Sequence, residues 1–205
     1  MADPSKLLTP DEINAVIAWL HHRRRRGPNY VLNRATFRLA CCCGLRRSEI
    51  CRLNMAHIVI GAHPVLCIEA SGCHQQRLVP FGCEKGTLMD LARYAWQRKH
   101  QGASTSDPFL CGITTDAGKR LTPDLVAKRW RSLMRVVLGE DRAKQLSIHA
   151  RRRTFASFAS AHGRSLDEIA STRHQPGVGA EAHSGTALSE ARRGRLTRPG
   201  LRKPS

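Results

Sequence analysis

The chain has 205 residues, enough for one domain with a real core or for a domain followed by a tail. Lys and Arg outnumber Asp and Glu by 34 to 16, giving a net charge of +18 and a sequence pI of about 10.8, a field that favours a polyanion, most simply nucleic acid. Aromatic residues are only 5 % of the chain, which argues against a base-stacking single-strand binder and for the backbone of a duplex. The eight cysteines form no C-x-x-C pair and sit mostly in apolar segments, so they read as reduced core residues of a cytoplasmic protein. No His spacing of the H-E-x-x-H kind occurs. Neither a metal nor a cofactor is expected. No apolar run approaches a membrane span, and Met1-Ala2-Asp3-Pro4-Ser5 does not open a signal peptide.

Thr9-Pro10-Asp11-Glu12 is a strong helix start, with Thr9 as N-cap, Pro10 at the first helical position and Glu12 closing a capping box. Ile13, Val16, Ile17 and Leu20 follow at helical spacing, and the basic run from His21 to Arg26 ends the helix before Gly27-Pro28. A second helix spans roughly Val31 to Cys43, apolar enough to be buried, with Gly44 as its stop. Gly44-Leu45-Arg46-Arg47-Ser48-Glu49-Ile50 then reads as a short amphipathic helix in which Arg46 and Glu49 form an i,i+3 pair. His57–Ile60, Val65–Ala70 and Arg77–Phe81 are three short strands, turning at Gly61-Ala62-His63-Pro64 and Ser71-Gly72. Leu88, Leu91, Ala92, Ala95 and Trp96 mark a further helix closing near His100. Thr122-Pro123-Asp124 starts another, with Leu125, Val126, Trp130, Leu133, Met134 and Val137 on one face. Lys119, Arg120, Lys128, Arg129 and Arg131 decorate its start and outer side and are candidate contacts to a nucleic-acid backbone, as are Arg77 and Arg153.

The chain is organised around His149-Ala150-Arg151-Arg152-Arg153-Thr154-Phe155-Ala156-Ser157, for which Ser147 is a suitable N-cap. On a helix Ile148, Arg152, Phe155 and Ala159 share one face. A guanidinium on an otherwise apolar stripe is costly to leave unpaired, so an anion should meet Arg152. His149 lies one turn earlier and can aim at the same point. A His and an Arg converging on one anion suit phosphate, whose oxygens match the guanidinium fork.

This string resembles the His-x-x-Arg box of the tyrosine recombinases of phage-integrase type. Gly44-Leu45-Arg46-Arg47-Ser48-Glu49 resembles the first arginine box of the same family. The resemblance runs from about Leu8 to His174 and implies a mainly α (α+β) fold, a helical catalytic domain carrying a small three-stranded antiparallel sheet. It assigns Arg46, His149 and Arg152 as catalytic, Glu49 as the carboxylate supporting Arg46, and His174 as the third-box histidine, although the Gly that normally precedes that histidine is replaced by Arg173. In the family a tyrosine attacks the scissile phosphate to form a 3′-phosphotyrosyl link, with neither ATP nor a metal required. The two arginines and the histidine meet the charge that gathers on the non-bridging oxygens.

The departures decide what the chain is expected to do. The family carries a lysine in the turn before the third strand, whereas this turn reads Ser71-Gly72-Cys73-His74-Gln75. No tyrosine follows His174; the two in the sequence, Tyr30 and Tyr94, stand upstream at helical positions suited to packing. From about His174 the periodicity disappears, and the composition cannot bury enough apolar area to offset ordering entropy. Residues 1–174 are therefore expected to be a recombinase-like catalytic domain without the separate N-terminal core-binding domain, and 175–205 a basic, disordered tail. The expected partner is double-stranded DNA, together with further copies of the chain or an intact recombinase. The preferred expectation is a recombination and integration domain that keeps its phosphate site but has lost strand cleavage. A recombinase completed by another chain's tyrosine, a non-catalytic DNA-binding remnant and a frameshifted pseudogene product are the alternatives.

Overall fold

The computed structural model describes residues 7–22, 29–69, 76–81, 85–113, 117–146 and 154–155. Helix α1 (Pro10–His22) starts at the expected capping box: Thr9 N–H donates to the Glu12 carboxylate (2.8 Å) and Glu12 N–H to Thr9 Oγ1 (3.2 Å). Ile13, Val16 and Leu20 point inward, as their spacing requires. The Arg23–Arg26 run lies outside the described residues. Glu12 also takes two hydrogen bonds from Arg142 (2.6 and 3.0 Å), which ties α1 to the short helix α6 (Glu140–Gln145). That helix was not expected; Gly139, at φ 87°, separates it from α5 (Pro123–Leu138). Helix α5 is capped by Thr122, whose hydroxyl accepts from Leu125 N–H (3.2 Å). Its Trp130 stacks on Phe37 of α2 (Tyr30–Cys41), ring centroids 5.7 Å apart.

Helix α2 is buried nearly all round, and this includes two of its charges. Arg34 and Arg38, one turn apart, both reach Asp90 of α4 (Lys85–His100), with Arg38 Nε at 2.8 Å. Asp90 is itself buried, and the two guanidinium groups supply its counter-charge. The inward face of α4 runs through Thr87, Asp90, Leu91, Tyr94, Ala95 and Arg98. Trp96, expected on that face, is instead 61 % exposed and lies against His100. It follows Ala95 by one residue and so falls about 100° round the helix from it.

Three strands, β1 (Ile58–Val59), β2 (Val65–Ile68) and β3 (Arg77–Pro80), form an antiparallel sheet in that order. Leu66 pairs with Val79 and Ile68 with Arg77, and all four face the core. Between β1 and helix α3 (Arg47–Arg52) lies a 3₁₀ turn, Met55–His57. The architecture is thus mainly helical with one small antiparallel sheet. Cys41, Cys42, Cys43, Cys51 and Cys111 are buried and Cys67 is partly exposed; Cys73 and Cys83 lie outside the described residues. Among the described residues no helix is long and apolar enough to cross a membrane.

The last described pair, Thr154 and Phe155, is helical and fully packed. Thr154 Oγ1 accepts from Leu8 N–H (3.2 Å), just ahead of α1. Phe155 lies on Gly44, where a Cβ would come within 2.6 Å of its ring. Gly44 also has φ 64°, a left-handed conformation that costs a residue with a Cβ roughly 1–2 kcal/mol. Overpacking of the ring adds roughly 1–3 kcal/mol. Gly44→Ala should therefore lower the urea midpoint by more than either effect alone would do, and an unchanged midpoint would show that the contact is not formed.

Candidate functional site: the Arg46 cleft

Arg46 holds the N-cap position of α3 with extended backbone (φ −67°, ψ 153°). An arginine side chain has no acceptor to offer the helix, so only half of a capping box can form. Glu49 supplies it, accepting from Arg46 N–H at 2.6 Å. The same carboxylate takes the Arg46 guanidinium at 3.3 Å and a two-point pair from Arg77, at 2.7 and 3.0 Å. The Arg77 side chain is 7 % exposed and that of Arg46 30 %. One carboxylate between two guanidinium groups leaves one positive charge in excess, and Arg46 is the one that reaches solvent. It borders a cleft shared with Ser48, Arg52, His57 and Glu69. His57 Nδ1 accepts from Asn54 N–H (3.1 Å), which leaves its Nε2 for Glu69 at 2.9 Å.

Burial alone would push the Glu49 carboxyl up. The hydrogen bonds and charges of Arg77 and Arg46 outweigh it, and the group is held below its ordinary value of 4.5. The carboxylate therefore stays ionised across the neutral range and keeps Arg46 aimed.

Expected site residues fall into three sets. Arg46 and Glu49 are together, as the first arginine box implies. His149, Arg152, Arg153 and His174 lie outside the described residues. Phe155 does not: its contact with Gly44 places the described part of the second box against the segment that leads into Arg46. Among the expected DNA contacts, Lys119 and Lys128 are exposed. Arg77 is not a surface contact but a buried partner of Glu49, because a period-two strand puts it on the same face as Val79. Arg120 is exposed as well, and its guanidinium also donates to Cys51 O (2.8 Å) and Leu53 O (3.2 Å), satisfying the end of α3. Arg129 is half-buried and held by Asn33 and Asn29. Sequence reasoning missed His57 and Glu69, for which the i,i+3 spacing of Asn54 and His57 was the available signal.

The two tyrosines occupy packing positions. Tyr94 is 1 % exposed, lies edge-on to Phe109 and accepts from Cys111 N–H (3.4 Å), with burial pushing its phenol up. Tyr30 Oη accepts from Arg93 (3.2 Å). Neither lines the Arg46 cleft. Among the described residues no three His, Cys, Asp or Glu side chains gather as a metal site would require.

A folded carboxyl held below its unfolded value contributes stability above that unfolded value and loses it as pH falls through the folded one. Glu49→Gln should therefore be less stable than wild type at pH 7, with the gap closing on acidification below about 4.5. Urea midpoints of both proteins across this range test it. Glu12, held low chiefly by its hydrogen bond from Arg142, titrates in the same window in both proteins and cancels in the difference. A gap independent of pH would remove Glu49 as the ionised anchor.

Solved recombinases share this fold. The XerH site-specific recombinase, in a pre-cleavage complex bound to its difH substrate, aligns with a TM-score of 0.64 at 14 % identity over 82 % of this chain and 46 % of its own. The XerA recombinase aligns at 0.61 and 16 %, covering 94 % of this chain and 66 % of its own. The integrase of transposon Tn1549, in complex with transposon right end DNA, aligns at 0.55 and 18 %, over 94 % and 67 %. The chain thus spans about half the length of the XerH recombinase. No curated protein matches it by sequence. The family model described as "Phage integrase family" matches residues 6–172, most of the sequence, and the chain belongs to that family.

Proposed function

We propose that this domain binds duplex DNA with a backbone phosphate at Arg46, as the DNA-engaging part of a site-specific recombination or integration system, and that it does not cleave a strand on its own. The observation that carries the reading is the Glu49 array. A carboxylate locked by Arg77 presents Arg46 as a pre-aimed, partly exposed donor carrying the excess charge. Pre-aimed donors require no reorganisation when negative charge builds on a phosphate. In the family pattern His149 and Arg152 bring further donors to that phosphate, and the packing of Phe155 on Gly44 supports such a convergence. His174 takes the third-box position. The net charge of +18 supplies long-range attraction, with Lys119 and Lys128 as exposed contacts.

Loss of cleavage rests on the groups that could attack phosphorus or protonate the leaving oxygen. Strand cleavage needs a hydroxyl to attack phosphorus and a proton for the departing 5′ oxygen. The Tyr94 hydroxyl is buried and Tyr30 is engaged with Arg93. The turn before β3 has no lysine; its His74 lies outside the described residues.

Two measurements separate the parts. Binding of a labelled duplex should weaken steeply with salt, and Arg46→Ala should weaken it similarly for all sequences while reducing the salt slope by about one. Unchanged affinity and slope would remove the phosphate from Arg46. Incubation of the wild-type chain with a nicked duplex should yield no SDS-resistant protein–DNA adduct. An adduct would overturn the loss of cleavage and leave the binding assignment intact.

A further inference from the structure

A second concavity shares no lining residue with the Arg46 cleft. Trp19 of α1, Asn33 of α2 and Leu125, Arg129, Leu133 and Val136 of α5 border it. At its floor Arg129 donates through Nη1 to Asn33 Oδ1 (3.0 Å) and through Nη2 to Asn29 Oδ1 (3.3 Å). Its Nε is buried without an acceptor, and among the described residues no carboxylate pairs with the guanidinium. Most other inward-facing arginines meet a carboxylate: Arg34 and Arg38 meet Asp90, Arg77 meets Glu49, and Arg142 meets Glu12, whereas Arg98 donates only to Gln101 and the Pro108 carbonyl. Two amide oxygens orient a guanidinium but do not neutralise it. A half-buried charge without a counter-charge is a cost that an arriving anion relieves.

The walls indicate which anion. Leu125, Leu133 and Val136 present hydrocarbon beside the charge, and Val136 is 54 % exposed. A sugar-phosphate backbone gains nothing from such walls, whereas a side-chain carboxylate with apolar neighbours fits both features. We propose that this groove docks a segment of a different, acidic protein, with an Asp or Glu on Arg129 and flanking apolar side chains on Leu125, Leu133 and Val136. A second copy of the chain is disfavoured as occupant, because two bodies of charge +18 repel. The inference is independent of DNA binding at Arg46.

The test uses the full chain against short peptides displayed on phage, selected at salt high enough to screen non-specific attraction. Selected peptides should share one Asp or Glu next to apolar residues. A synthetic copy of the best of them should lose roughly thirtyfold or more in affinity for Arg129→Ala, the size expected on truncating one member of a buried charge pair. Its own Glu→Gln form should lose as much against the wild-type chain. Arg129 also links α5 to the start of α2; where Arg129→Ala does not fold, Val136→Asp, at an exposed position, decides. Val136→Asp should repel the peptide while leaving the melting temperature unchanged. Selection of peptides without a carboxylate, or binding indifferent to both substitutions, overturns the proposal. So does displacement of the peptide by a short duplex in an Arg129-dependent manner, which would assign the groove to DNA. A Val136→Asp-sensitive dimer in sedimentation would overturn it in favour of a second copy.

Discussion

The Glu49 carboxylate is the constraint on which the site depends. It closes the first turn of α3, holds Arg46 and receives Arg77 from the sheet, so one side chain fixes a helix start, a donor and a strand. A buried carboxylate so placed is stable only because two guanidinium groups surround it. Removing Glu49 leaves both guanidinium groups without compensation, and removing Arg77 leaves the carboxylate with the longer Arg46 contact alone. Helix α3 has six residues, too few to stand alone, and its orientation is set by this array and by the carbonyls that Arg120 satisfies at its other end.

The same logic recurs deeper in the molecule. Asp90 binds Arg34 and Arg38 across α2 and α4, and Glu12 binds Arg142 across α1 and α6. Each acidic residue connects elements that hydrophobic contact alone would leave free to slide, because ion-pair geometry is directional and apolar packing is not. In a chain with 34 basic and 16 acidic residues, carboxylates are the scarce partner. Glu12, Glu49 and Asp90 are placed where they join elements, and the surplus of positive charge is left to the surface and the clefts.

Much of this was legible in the sequence. Helix starts with a capping residue and a proline, at Thr9-Pro10 and Thr122-Pro123, are found where they were expected, because a cap is a local signal. The three strands were legible as well, from short runs bounded by turn residues, and the sheet they form from the family resemblance. Arg77 was misread as a surface contact because its charge was weighed above its strand register; alternation with Val79 already placed it inside. Asp90 carried no local signal. Its partners lie more than fifty positions away, and a lone acid on a helix is ordinarily solvated. Trp96 was counted as core on hydrophobicity alone, whereas the helical phase puts it outside. Arg46 and Glu49 were legible because the i,i+3 spacing is itself the geometry. The rest of the expected catalytic set falls outside the described residues.

The contact between Leu8 and Thr154 spans 146 positions, and that between Glu12 and Arg142 spans 130. Both ends of the domain are therefore closed by pairings of very high sequence separation. Loop-closure entropy makes such pairings late events in folding. During synthesis α1 and α2 leave the ribosome long before Thr154 and Phe155 exist, so Gly44 has no ring against it and α1 is without its distant partner. The geometry around Arg46 is then a property of the finished domain. A nascent or prematurely stopped chain would carry the positive charge without the architecture that aims it.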